Sequence, residues 1–98
     1  MKVTVVMLMD PIDSSVYHLL CRIISILVDD PEAVQITPTL QPRGVRFSVV
    51  VHRGDIGRLV GLQANIAKSL RFIFVAIGVK TRKRYSIEVA EYPYRPTA

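Results

Sequence analysis

One cysteine in 98 residues, Cys21, leaves no intrachain disulfide and no multi-cysteine zinc or iron–sulfur site. That usage suits a reducing cytosol, so a cytoplasmic protein is expected. Two isolated histidines, His18 and His52, do not make a metal cluster. Cys21 and His18 lie three apart but lack a carboxylate to orient the pair, so nucleophilic catalysis is not expected. No apolar run approaches the roughly 20 residues of a membrane span. Val3 to Met9 is apolar, but only Lys2 precedes it and it runs into Asp10-Pro11 without a small-residue cleavage site. It reads as a strand or ordered tail rather than a signal peptide. Gly54, Gly57 and Gly61 match neither the P-loop nor the dinucleotide pattern. An enzyme, a cofactor and a membrane partner are therefore not expected. No repeat, low-complexity tract or linker interrupts the chain.

What is present is the composition of one packed domain, half hydrophobic and 21% charged. The net charge of +5 is unevenly spread. Residues 1–42 hold Lys2 and Arg22 against Asp10, Asp13, Asp29, Asp30 and Glu32, a balance of −3. Residues 43–98 hold eleven basic side chains against Asp55, Glu88 and Glu91, a balance of +8. A C-terminal part that basic has the character of a polyanion-binding surface.

Asp10-Pro11 opens a helix, with Asp as N-cap and Pro at the first helical position. Ile12, Val16, Leu19, Leu20, Ile23 and Leu27 recur at helical spacing, which predicts one buried stripe with Ser14, His18 and Ser25 opposite. Asp29-Asp30-Pro31 stops that helix in solvent. Val34 to Thr37 is a short β-type run closed by Pro38, and Gln41-Pro42-Arg43-Gly44 reads as a turn. Val45, Phe47, Val49 and Val51 then alternate with Arg46, Ser48, Val50 and His52, the best strand signal in the chain. A short helical turn is expected from about Asp55, as its cap, to Val60. A longer helix follows Asn65, with Ile66, Leu70, Ile73, Phe74 and Ile77 inward and Gly78 as its C-terminal cap. Lys80 to Arg84 forms a basic loop, and Tyr85, Ile87 and Val89 mark a last strand before a tail from Tyr92. The order is α-β-β-α-α-β.

Gly57-Arg58-Leu59-Val60-Gly61-Leu62-Gln63-Ala64-Asn65-Ile66-Ala67-Lys68-Ser69-Leu70-Arg71 is the informative stretch. A short helix, a tight glycine turn and a second helix can set backbone amides and a helix N-terminus against phosphates. This stretch, with Val28-Asp29-Asp30-Pro31 and Ser86-Ile87-Glu88-Val89 in register, resembles the small bacterial single-KH RNA-binding family of the KhpA type. The likeness covers about Val16 to Glu91. It implies an α+β, type II KH domain over 10–91, with a three-stranded sheet covered on one face by helices. Residues 1–9 would be an apolar extension, as an extra strand or tail, and 92–98 a C-terminal tail.

The resemblance also implies a function, that of an RNA chaperone or post-transcriptional regulator. It would bind single-stranded RNA as a homodimer or beside a second KH protein. A GXXG loop in this family clamps the backbone of about four nucleotides. Here that loop is Gly61-Leu62-Gln63-Ala64, and its amides with that of Asn65 would meet phosphates. Val60 and Ile66 would line the groove under the bases, and Arg58, Lys68 and Arg71 would supply charge. Leu62 stands where the family has Lys, Ala64 where it has Gly, and Asn65 where Arg is common. The loop has lost two positive side chains and a glycine, so the grip is expected to weaken or shift to other basic residues, including Arg82-Lys83-Arg84 with Lys80. Two alternatives remain at this level, a protein-interaction module and a ribosome-assembly factor on the same fold. Phe72 and Val75 should project outward from the long helix as a partner surface.

Overall fold

The computed structural model describes residues 8–55 and 65–92. Helix α1 spans Pro11–Leu27, a 3-10 turn spans Pro31–Ala33, strands β1 and β2 span Gln35–Gln41 and Gly44–His52, helix α2 spans Asn65–Thr81, and strand β3 spans Arg84–Tyr92. Residues 53–55 begin a further helical turn. The remainder of that turn, residues 1–7 and the tail beyond Tyr92 lie outside the described residues; Leu8 and Met9, the end of the expected N-terminal strand, are not in a strand.

The sheet order is β1-β2-β3, with β1 antiparallel and β3 parallel to β2. Val45, Phe47, Val49 and Val51 are fully buried, as their alternation predicts. Ile36 of β1 and Tyr85 and Ile87 of β3 join them, and both long helices lie on this face. Phe47 is the hub. It pairs in register with Pro38 and Ile87, stacks at 6.2 Å on Tyr17 and on Tyr85, and meets Phe74 edge-on at 6.3 Å. The opposite face carries Thr37, Thr39, Arg46, Ser86 and Glu88 toward solvent. The α+β fold with helices on one face is that of the type II KH arrangement.

Three local expectations are corrected. Strand β1 does not close at Pro38 but runs through it to Gln41. Because β1 is an edge strand of the sheet, the N–H that proline lacks is not required by a second neighbour. Helix α1 is rotated from the expected phase: Val16, Leu20 and Ile24 are buried, whereas Ile12 and Leu19 are 46% and 42% exposed. Its apolar arc is wider than one packing face, so the sheet beneath chose which part to bury.

The third correction concerns Gly78, which lies within α2 and not at its cap. A Cβ there would sit 2.3 Å from the Lys83 carbonyl oxygen, so the glycine serves close approach of the returning chain. The helix ends instead with Arg82 at φ 60° and the Lys83 N–H donating to the Gly78 carbonyl at 2.8 Å. That is a Schellman closure with arginine where glycine is usual.

Candidate nucleic-acid interface

The interface begins where β2 gives way to a helical turn at residues 53–55. His52 Nδ1 accepts from the Gly54 N–H at 3.0 Å, so the last residue of β2 caps the turn that starts at Arg53. Asp55 was expected to be that cap, and it is not. It is 2% exposed, and its two carboxylate oxygens accept from the backbone N–H groups of Asp29 at 2.9 Å and Asp30 at 3.2 Å. The exit of α1 is therefore tied to the helical turn that follows β2 rather than left in solvent. No local pattern announces this bond, because its partners lie 26 and 25 residues apart.

Of the predicted site residues, Arg58, Val60, Gly61, Leu62, Gln63 and Ala64 lie outside the described residues. Asn65 is the first residue of α2. Ile66, half-buried, points toward α1 and shares with Leu27, Leu70 and Ile73 a shallow apolar groove of about 280 Å³. Lys68 is exposed. Arg71 is exposed too, and its Nε donates to the Ile87 carbonyl at 3.2 Å, which holds the guanidinium against β3. The inward face of α2 is Ala67, Leu70, Phe74 and Gly78. Ile73, expected inside, is 48% exposed, while Phe72, Val75 and Val79 are exposed as their spacing requires.

The basic loop divides in two. Lys83 turns away from solvent to pair with both Asp10 and Asp13, the latter at 3.1 Å. Asp13 is buried and also accepts from the Tyr85 hydroxyl at 2.5 Å. The hydrogen bond to Asp10 raises the Lys83 ammonium above its ordinary range, and Lys83 holds the Asp10 carboxyl below its own. Burial, followed by the bond to Asp13, pushes the Tyr85 phenol up. Lys83 is thus a structural cation. Lys80, Arg82 and Arg84 remain at the surface.

With this geometry in hand, sequence comparison decides the family. The profile described as KhpA/KhpB, KH domain, matches residues 18–89. The chain belongs to that family. It is 37% identical over 74 residues to the RNA-binding protein KhpA of Listeria monocytogenes serovar 1/2a, covering 76% of this chain and 97% of that protein. It is 34% identical over 72 residues to the RNA-binding protein KhpA of Clostridium acetobutylicum, covering 74% and 96%. The RNA-binding protein KhpA of Bacillus subtilis (strain 168) is 27% identical over 77 residues, covering 79% and 95%. No solved structure matches the chain. Within this KH domain, the matched segment starts beside Tyr17, so the first two turns of α1, with Asp10 and Asp13, precede it. No helix among the described residues is long and apolar enough to cross a membrane.

Proposed function

We propose that this KH domain binds single-stranded RNA in the cytoplasm, as an RNA chaperone or post-transcriptional regulator, without catalysing a reaction. The observation that carries the reading is the family match across 72 residues, residues 18–89, which includes all of α2 and the larger part of β3. The relatives are named RNA-binding protein KhpA. Two features support it on this chain. Helix α2 opens at Asn65, directly after Gly61 to Ala64 in the sequence, so its free N–H groups and dipole favour a phosphate there. Lys68 and Arg71 stand exposed one turn and two turns further on. Arg58 and the amides of Gly61 to Asn65 would complete the clamp, with Val60 and Ile66 beneath the bases.

A titration with labelled single strands tests this. For three or four contacted phosphates, log affinity should fall with log salt at a slope of about −2 to −3. The pair Leu62→Asp with Gln63→Asp should abolish binding while circular dichroism stays unchanged. Binding by that variant equal to wild type would move the site off the loop. Absence of any binding at low salt would leave a protein-interaction module as the better account.

The second part of the proposal is self-association, or pairing with a second KH protein, through the outer face of α2. Phe72 is 77% exposed and Val75 57% exposed, on a helix that already has a full inner face. Phe72→Glu should give a folded monomer by light scattering. A wild type that stays monomeric at high micromolar concentration would refute it.

A further inference from the structure

The far end of α2 from the glycine loop carries a second concentration of positive charge, assembled from two turns. Helix α2 has 17 residues, so its ends lie about 25 Å apart. At the C-terminal end, Arg82 and Arg84 of the α2–β3 turn meet Arg43 of the β1–β2 turn. The two turns are locked together: the Arg84 N–H donates to the Arg43 carbonyl at 2.8 Å. Gly44 lets them touch, since a Cβ there would lie 1.8 Å from the Arg84 carbonyl oxygen. Arg82 is held in its left-handed conformation by the Schellman closure beside it. All three arginines are exposed, and they border adjoining depressions of about 620, 620 and 360 Å³. Val75 and Val79 give the first of these an apolar wall.

The surrounding acidic groups do not cancel this charge. Asp10 and Asp13 are the carboxylates beside the second depression, and Lys83 pairs with both, which leaves one negative charge against the three guanidiniums. Glu88 pairs with Arg46 on the open face of the sheet. What is left is three guanidiniums on rigid backbone, set around a recess with an apolar side. Arginine on a fixed frame suits phosphate oxygens, which its planar fork binds in pairs.

We infer that Arg43, Arg82 and Arg84 form a second backbone-phosphate site, which holds an RNA strand after it has left the glycine-loop clamp. The inference rests on the RNA-binding reading and extends it. A clamp of about four nucleotides cannot reach across the length of α2, so the second site engages only longer strands. Lys83 takes no part, and the hairpin arginine, outside the helix–loop–helix, does.

The test compares fluorescein-labelled random-sequence RNA pools of five and twelve nucleotides by anisotropy. The twelve-nucleotide pool should bind wild type at least tenfold more tightly. The triple variant Arg43→Gln, Arg82→Gln, Arg84→Gln should erase that advantage, leave the five-nucleotide affinity unchanged, and flatten the twelve-nucleotide salt slope by about 2. The triple lysine variant should retain most of the advantage, and circular dichroism should show both variants folded. If the glutamine variant does not fold, reversing Arg43 alone, Arg43→Glu, replaces it, with the same selective loss expected for the long pool.

Failure has distinct forms. Equal wild-type affinity for the two pools overturns the second site and leaves the loop clamp standing. Equal weakening of both pools by the glutamine variant overturns it too, because the arginines would then act on the clamp. No binding of either pool by wild type sinks the RNA reading itself. A twelve-residue polyglutamate that binds in an arginine-dependent way, with no length advantage for RNA, would assign the patch to an acidic protein partner instead.

Discussion

Gly78→Ala sets two physical effects of opposite sign against each other. Gly78 lies in the last turns of α2, where alanine would improve helix propensity by about 1 kcal/mol. Against that gain, the new Cβ would stand 2.3 Å from the Lys83 carbonyl oxygen, where an ordinary contact needs well over 3 Å. The Lys83 peptide is poorly able to retreat. Its N–H bonds the Gly78 carbonyl at 2.8 Å, and its side chain is anchored on Asp10 and Asp13. Overpacking of this kind costs about 1–3 kcal/mol, and loss of the closing hydrogen bond costs about 1 kcal/mol more. The net expectation is a loss of about 2 kcal/mol, or a fall in Tm of about 10 °C for a domain of this size. Thermal melts by circular dichroism, with urea midpoints as a second measure, read it directly. The companion change Arg82→Gly should act the other way and raise Tm by a few degrees, since arginine at φ 60° carries a steric cost of roughly 1 kcal/mol that glycine avoids. Unchanged or higher Tm for Gly78→Ala would refute the close-approach account. A lower Tm for Arg82→Gly would refute the Schellman assignment.

Asp55→Ala should cost about 3 kcal/mol, because two backbone N–H groups lose a charged acceptor, and Asp55→Asn should cost less because one acceptor oxygen remains. Similar melts for all three proteins would show that the tie between the exit of α1 and Asp55 is idle. Ile24→Ala should lower stability by about 2–5 kcal/mol and Ile26→Ala by less than about 0.5 kcal/mol, as the first is fully buried and the second 75% exposed; denaturant titration giving the reverse order would mean that the phase of α1 is wrong. Tyr17 is pushed up to about 12 by burial and then by Cys21, above its ordinary value of 10.0. A folded value above the unfolded one gives a stability contribution fully present below pH 10 and lost as pH rises toward 12. Melts at rising alkaline pH should therefore fall more steeply for wild type than for Tyr17→Phe, and parallel curves would refute this. Asp10, held low by Lys83, contributes above its ordinary value of 3.8 and loses that contribution as pH falls through the depressed one, so Asp10→Asn should flatten the acid limb of the same plot.

The amino-acid sequence alone determined the elements whose cause is local. Alternation placed Val45, Phe47, Val49 and Val51 of β2 inward, Asp10-Pro11 set the start of α1, and the spacing of Phe72 and Val75 set them outward. The family resemblance rested on short motifs in register, and such motifs survive because backbone loops and helix ends demand particular residues nearby. Other features depended on pieces brought together from afar. Which arc of α1 is buried depended on the sheet, since Ile12 and Ile24 are equally apolar but only one faces Phe47 and its neighbours. Pro38 stayed within β1 because that strand has one partner, a fact of topology and not of composition. Gly78 was legible as a glycine near a helix end, but only the returning Lys83 carbonyl explained why it is glycine. The sorting of the basic loop was least legible of all. Lys83 and Arg84 are neighbours of one charge in the sequence, yet Asp10 and Asp13, some 70 residues away, neutralise the first while the β1–β2 turn brings Arg43 to the second. Charge is a local property, and its availability is decided by what the fold sets against it.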